Sequence, residues 1–146
     1  LLTLANLQKL DLTNNNLGVE GGQAIAASLP TLTNLQTLGL GDNKLGVKGG
    51  QAIAAALPTL TSLQTLGLHS NNLGVEGGQA IATALLTLAN LQKLGFHSNN
   101  LNRSFILGIF WSAAQNNKNL KCIDLRANRF QQTDIQDVQN DQRFKF

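Results

Sequence analysis

The stretch Leu35-Gln-Thr-Leu-Gly-Leu40 returns unchanged as Leu63-Gln-Thr-Leu-Gly-Leu68, and the residues after the two copies also match for the most part. Related runs start at Leu7 (Leu-Gln-Lys-Leu-Asp-Leu), Leu91 (Leu-Gln-Lys-Leu-Gly-Phe) and Leu120 (Leu-Lys-Cys-Ile-Asp-Leu). Each is followed by Asn at the ninth position and an apolar residue at the eleventh: Asn15 and Leu17, Asn43 and Leu45, Asn71 and Leu73, Asn99 and Leu101, Asn128 and Phe130. The pattern is LxxLxLxxNxL in five registered copies. A repeat of this length is one supersecondary unit that cannot bury its apolar face alone and must stack on its neighbours. The chain divides into units at 7–34, 35–62, 63–90 and 91–119. The end of a truncated unit precedes them at 1–6, and a terminal unit with a C-terminal cap follows at 120–146, all in a single domain.

Each unit changes period halfway. Within residues 35–40, Leu38 and Leu40 alternate as one face of a short strand. The following Gly46-Val-Lys-Gly-Gly-Gln-Ala-Ile-Ala-Ala-Ala-Leu57 places Gly50, Ile53, Ala54 and Leu57 on one face of a helix of about three turns. Pro58 then supplies a stop. Parallel strands stack about 4.8 Å apart, whereas helix axes need about 8–10 Å. A stack with strands on one side and helices on the other must therefore bend, strands inside. The expected fold is α/β: a solenoid forming an arc of a horseshoe, with a parallel β-sheet on the concave side and α-helices on the convex side. The pairs Gly21-Gly22, Gly49-Gly50 and Gly77-Gly78 fall in the first helical turn. Each glycine there costs about 1 kcal/mol relative to alanine, and close approach of neighbouring helices would account for them. The asparagines Asn15, Asn43, Asn71, Asn99 and Asn128 sit between inward leucines. They read as a structural ladder whose amides pair backbone groups left free where the chain leaves the strand.

The 28-residue period, the LxxLxLxxNxL core and the Gly-Val-Glu-Gly-Gly-Gln-Ala-Ile-Ala segment after it resemble the ribonuclease-inhibitor-like subfamily of leucine-rich repeats over residues 1–130. The resemblance implies a leucine-rich-repeat solenoid. Members of that subfamily include cytosolic inhibitors, GTPase-activating proteins of the Ran cycle, innate immune receptors and bacterial effectors, and nearly all bind a protein in the concavity. It thus implies binding of another protein, and a cytoplasmic setting or delivery of an effector into a host cytosol. No one member's partner carries over.

The bulk numbers narrow the classes further. A net charge of +3 is too small to argue for a nucleic-acid or membrane protein. Its distribution is uneven: residues 1–90 carry three basic and four acidic groups, residues 91–146 eight basic and four acidic. One cysteine, Cys122, excludes an internal disulfide framework and suits a reducing compartment. No apolar run approaches the roughly 20 residues that span a bilayer. The chain starts without Met, and Leu1-Leu2-Thr3-Leu4-Ala5-Asn6 matches Leu85-Leu86-Thr87-Leu88-Ala89-Asn90. A longer array with missing upstream units is therefore expected, with an exposed first unit that self-associates or frays.

Side chains alternate along a strand, so the third, fifth, seventh, eighth and tenth positions should face outward on the concave side. The seventh reads Thr13, Gly41, His69, His97, Arg126, and the tenth Asn16, Lys44, Asn72, Asn100, Arg129; the fifth is nearly bare, at Asp11, Gly39, Gly67, Gly95, Asp124. Units two and three differ at eight of 28 positions, and three of those are the seventh, eighth and tenth. A binding surface would look this way; drift at exposed positions after duplication would too. The candidate partner-binding rim is Lys44, His69, Asn72, Lys93, His97, Asn100, Arg126 and Arg129. Its densest cluster is Lys93, His97, Arg126 and Arg129 with Lys121 nearby and Asp124 the only acid, which points to a partner with an acidic surface. Nucleic acid is a weaker reading, since aromatic stacking residues are lacking.

His69 and His97 should stand about 5 Å apart on adjacent strands. Two imidazoles fall short of the three protein ligands that zinc takes, and only Asp42 is near, so no metal is expected. Cys122 has Lys93 and Asp124 as neighbours and no histidine in its unit, so it reads as a small half-buried apolar group. No constellation of nucleophile, base and orienter exists, and neither enzymatic activity, a cofactor nor a small-molecule substrate is expected. The least regular stretch is 103–114, where Phe105, Ile106, Phe110 and Trp111 replace the Gly and Ala of earlier units, in a unit longer than the others by a single residue. A helix apolar nearly all round is covered on more than one side. The expected cover is a cap helix presenting Ile135 and Val138, with Gln131, Gln132, Asp134, Gln136, Asp137 and Gln139 on its outer face. The alternative is that Trp111 anchors a partner on the convex side. The reading is a non-catalytic protein-interaction module binding on its concave face, or else a spacer array that assembles end to end or carries other domains of a longer receptor or effector.

Overall fold

The computed structural model describes residues 4–136 and 138–146. Among these residues six parallel strands form one sheet in chain order: β1 Lys9–Asp11, β2 Thr37–Gly39, β3 Thr65–Gly67, β4 Lys93–Gly95, β5 Cys122–Asp124 and β6 Phe144–Lys145. Lys9 pairs with Thr37, Thr37 with Thr65, Thr65 with Lys93 and Lys93 with Cys122, so the sheet register is the sequence repeat. Helices α1 Gly18–Ser28, α2 Gly46–Ala56 and α3 Gly74–Leu85 lie side by side behind the sheet. Between the two layers Leu35, Leu38, Leu40, Leu45, Ile53, Leu57 and Leu60 lose all exposure. At about 25 cal/mol per Å² of apolar surface, this strip is what holds each unit to the next. Pro58 falls in a 3-10 turn, Leu57–Thr59, that closes α2 and hands the chain to the next strand.

The helices do approach closely at their glycine pairs. A Cβ on Gly22 would lie 3.3 Å from the Gly49 Cα and 2.9 Å from Leu45 Cδ2; one on Gly78 would lie 2.6 Å from Leu101 Cδ2 and 3.0 Å from Phe105 Cδ2. At the second glycine of each pair the neighbouring unit sits where a side chain would go, which offsets the helix propensity lost; at the first the nearest atom belongs to its own unit, Leu17 Cβ standing 2.7 Å from a Cβ on Gly21.

The fourth unit departs from the expected continuous helix. Its helical layer is a short α4, Arg103–Phe105, a π-helical turn at Ile106–Phe110 and a further helix α5, Trp111–Asn116, with Gly108 outside helical geometry at φ −82° and ψ −150°. A π turn accommodates one residue more than an α turn. The extra residue of this unit is taken up there, leaving the sheet register undisturbed. Phe96, Phe105 and Phe110 are fully buried, with Phe105 and Phe110 centroids 4.4 Å apart.

The cap also departs from expectation. Among the described residues no α-helix carries Ile135 and Val138: the segment holds a 3-10 turn, Gln132–Asp134, fixed by a capping box in which Gln131 and Asp134 bond each other's backbone. Val138 is nonetheless buried and Ile135 half-buried against the core. The chain then turns into β6, whose Phe144 pairs with Ile123 and whose Lys145 pairs with Asp124. Phe144 and Phe146 alternate about Lys145, a period of two, and the Phe144 ring packs on Phe110 at 6.1 Å and on Trp111 at 5.7 Å. A strand carrying aromatic side chains therefore covers the end, where a helix of Gln and Asp would have offered little apolar surface. Gln131, Gln132, Gln136 and Gln139 are exposed. Leu1, Leu2 and Asp137, which belong to the expected open end and cap, lie outside the described residues. Among the described residues no helix is long and apolar enough to cross a membrane.

Candidate functional site

Asparagines set the loops that carry the concave rim. Asn71 Nδ2 donates to the carbonyls of Leu40 at 2.8 Å, Leu68 at 3.0 Å and His69 at 3.1 Å, while Oδ1 accepts the N–H of Asn43 at 3.0 Å and of Leu45 at 3.3 Å. Asn43 and Asn99 repeat the arrangement, and all three are fully buried. Asn128 is half-buried and accepts from Asn99 and Leu101, whereas Asn15, at the open end, is exposed and bonds only within its own unit through its amide nitrogen. Held this way, the eighth and tenth positions take left-handed backbone: Asp42 φ 53°, Lys44 φ 56°, Ser70 φ 54°, Asn72 φ 55°, Ser98 φ 57° and Asn100 φ 61°. Asn and Asp are enriched in that region because their short polar side chains tolerate it. Asn72 and Asn100 therefore have a conformational reason to stand on the rim, independent of any ligand, and the residue pattern alone did not reveal it.

Two lanes cross the strands on the open face of the sheet. Along the seventh position the His69 and His97 rings stack at 4.7 Å with 15° between planes. The His69 ring lies over Gly41, where a Cβ would collide with it, and its Nε2 stands 3.3 Å from Asp42 Oδ2. His97 Nδ1 is 3.2 Å from Ser98 Oγ. Among the described residues no group of three His, Cys, Asp or Glu side chains is placed to hold a metal. Along the fifth position Gly39, Gly67 and Gly95 form a floor bounded by Asp11 and Asp124. Half-buried Cys122 lies beside Lys93 in the third-position lane.

The cationic cluster is less free than the sequence suggested. Arg126 turns back onto its own strand, Nε to Asp124 Oδ1 at 3.0 Å and Nη2 to Oδ2 at 2.8 Å. That hydrogen bonding holds the Asp124 carboxyl below its ordinary value and raises the Arg126 guanidinium. Arg126, in the turn after β5, is thus paired with Asp124, the one acid expected within the cluster of Lys93, His97, Arg126 and Arg129. Arg129 donates from Nε to Asn100 Oδ1 at 3.2 Å, and Asn100 Nδ2 in turn donates to Asn72 Oδ1, so these three candidates form one chain along the rim. Lys44 and Lys93 are exposed. Lys145, absent from the sequence candidates, joins the same face through β6 beside Asp124; the alternation of Phe144, Lys145 and Phe146 was its one signal. Trp111 is half-buried with its ring against Phe144, at the seam between the fourth unit and the cap.

The family described as Leucine Rich repeat matches this chain over residues 3–26, 31–54 and 59–82. No curated protein matches it.

Proposed function

The chain belongs to the leucine-rich repeat family, and from that premise we propose that it is a non-catalytic module that docks a partner protein on its concave sheet face. Leucine-rich repeats are generally protein-interaction modules. The observation that carries the reading is where the variation stands. Units two and three differ at eight positions, none of them a buried leucine, and three of the eight, Gly41/His69, Asp42/Ser70 and Lys44/Asn72, stand together on the sheet side or its rim. The 28-residue repeat length supports the ribonuclease-inhibitor-like subtype, and with it a cytoplasmic setting or a host cytosol. Exposed Lys93, Lys121, Arg129 and Lys145 favour a partner with an acidic surface.

The test compares two charge reversals as baits in a native lysate. Lys93→Glu with Arg129→Glu alters the concave face; Lys48→Glu alters exposed α2 on the opposite side. Neither belongs to the core, so melts should be unchanged within about 0.5 kcal/mol. Partners captured by the parent chain should be lost with the first variant and kept with the second. Identical partner sets for both variants would remove the concave face from consideration.

A further inference from the structure

The asparagine ladder stops one rung short of the cap. Asn43, Asn71, Asn99 and Asn128 each bring Oδ1 to two backbone N–H groups of the preceding unit, at its ninth and eleventh positions. These are Asn15 and Leu17, Asn43 and Leu45, Asn71 and Leu73, and Asn99 and Leu101. Each also donates from Nδ2 to the carbonyl at the preceding unit's sixth position, Leu12, Leu40, Leu68 or Phe96. In the fifth unit the matching groups are the N–H of Asn128, the N–H of Phe130 and the carbonyl of Leu125. Neither N–H has an acceptor among the described residues. The Leu125 carbonyl accepts from Asn128 Nδ2 alone, where those of Leu40 and Leu68 accept from the asparagines of two units.

The gap has built sides. On one side β6 stands in for the next strand, the carbonyls of Arg143 and Lys145 accepting the N–H groups of Ile123 and Leu125 at 2.7 Å each. On the other side Asp134 Oδ2 accepts the Gln131 N–H at 2.9 Å. In earlier units that N–H goes to the next asparagine's own carbonyl, as Gly46 N–H goes to Asn71 O at 2.9 Å. The cap thus supplies partners on both flanks and leaves the N–H groups of Asn128 and Phe130 between them. These two residues line a cavity of about 330 Å³ together with Leu125, Ile135 and Phe146. A carboxylate could use only the two donors, and it would face the Leu125 carbonyl and the Asp134 carboxylate. A primary carboxamide satisfies donors and acceptor together. In units two to four the residue two places after the asparagine is a leucine without exposure, Leu45, Leu73 or Leu101. Phe130, Ile135 and Phe146 offer the apolar wall for one more.

We propose that this cavity docks an asparagine side chain on a loop of a partner protein, in the sequence Asn-Xaa-Leu. Its carboxamide oxygen accepts the N–H groups of Asn128 and Phe130, its nitrogen donates to Leu125 O, and the leucine packs on Phe130 and Ile135. The bound loop does for the fifth unit what Asn43, Asn71, Asn99 and Asn128 do for the first four. Half-buried donors without a partner gain most from such a ligand, because leaving them unpaired is costly. The interaction uses none of the charged side chains of the concave face, and it holds whether or not a partner docks there.

The probe is the acetylated and amidated hexapeptide Gly-Asp-Asn-Lys-Leu-Gly, the sequence of residues 41–46, with its Asn43→Asp counterpart. In the free chain the amide protons of Asn128 and Phe130 should exchange with solvent at least about tenfold faster than those of Asn71 and Leu73. The Asn peptide should shift the Asn128 and Phe130 amide resonances and slow their exchange, leaving Asn71 and Leu73 unmoved. The Asp peptide should bind about tenfold or more weaker, having lost the donor to Leu125 O. Lys93→Glu, on the concave face, should bind the Asn peptide as the parent chain does. Equal affinity for the two peptides, or Asn128 and Phe130 resonances that stay in place, overturns the proposal. So does protection of both amides in the free chain equal to that of Asn71 and Leu73, since the place would then already be filled. Loss of binding in a folded Lys93→Glu chain would put the peptide on the concave face and overturn it as well.

Discussion

Asn71 and Asn15 occupy the same place in their units and differ in what surrounds them. Asn71 is buried and engages five backbone groups from two units, whereas Asn15 is exposed and its amide nitrogen reaches only Leu12 and Thr13. Leaving a buried donor or acceptor without a partner costs about 1–3 kcal/mol per group. Asn71→Ala is therefore expected to destabilise the chain by at least about 3 kcal/mol, and Asn15→Ala by about 1 kcal/mol or less, where water replaces the lost bonds. Urea melts of the two variants check this; similar costs would mean that burial does not set the strength of the ladder. The same side chain type serves a third purpose at Asn72 and Asn100, where the left-handed backbone selects it. One residue type at three kinds of position is not separable in the sequence, because the distinction lies in φ and in burial.

At the scale of the element, the first three helices follow the 3.6-residue pattern and the fourth does not. Its extra residue goes into the π turn at Ile106–Phe110, and its aromatic side chains take cover from β6, the last strand of the chain. Phe144 is the joint: its ring meets Phe110, Trp111 and Phe146. Phe144→Ala should release that joint, with a loss of about 2–4 kcal/mol, toward the low side of the range for a fully buried Phe because Phe144 is only half-buried. The single Trp111 reports the event directly, since its fluorescence should shift to the red as the cap leaves it. An unshifted emission with the same melt would show that β6 is dispensable to the fourth unit.

At the scale of the whole molecule each unit touches only its neighbours, so stability is close to a sum of unit and interface terms. The two ends are unequal. The C-terminal end is closed by β6 and Val138, while at the other end Leu7, Leu10, Leu12 and Leu17 are only partly buried where Leu35, Leu38, Leu40 and Leu45 have no exposure. Charged Lys9 and Asp11 on β1 blunt that edge against pairing with another chain, as charged edge strands do elsewhere. Amide exchange should accordingly be fastest in β1 and α1 and slowest around β3 and α3, where both faces of a unit are covered. Protection as strong in β1 as in β3, in a chain shown to be monomeric by its concentration dependence, would contradict this gradient.

The period, the strand and helix faces, the inward leucines and the buried asparagines were all legible in the chain, because a repeat prints the same local demand several times and stacking has one geometry that meets it. The glycine pairs were legible for the same reason: a cost repeated three times must have a common cause. Three things were decided only in the folded molecule. The cap became a strand because Phe110 and Trp111 needed aromatic cover that Phe144 could bring only by pairing with β5, a contact distant in sequence. The cluster around Arg126 lost a free charge because a guanidinium two residues from a carboxylate on an exposed strand folds back onto it. The left-handed backbone at Asn72 and Asn100 came into view only once the buried asparagines of neighbouring units had fixed the loops that carry them. Local pattern fixes which face a side chain takes; what it meets there depends on residues that only stacking brings alongside.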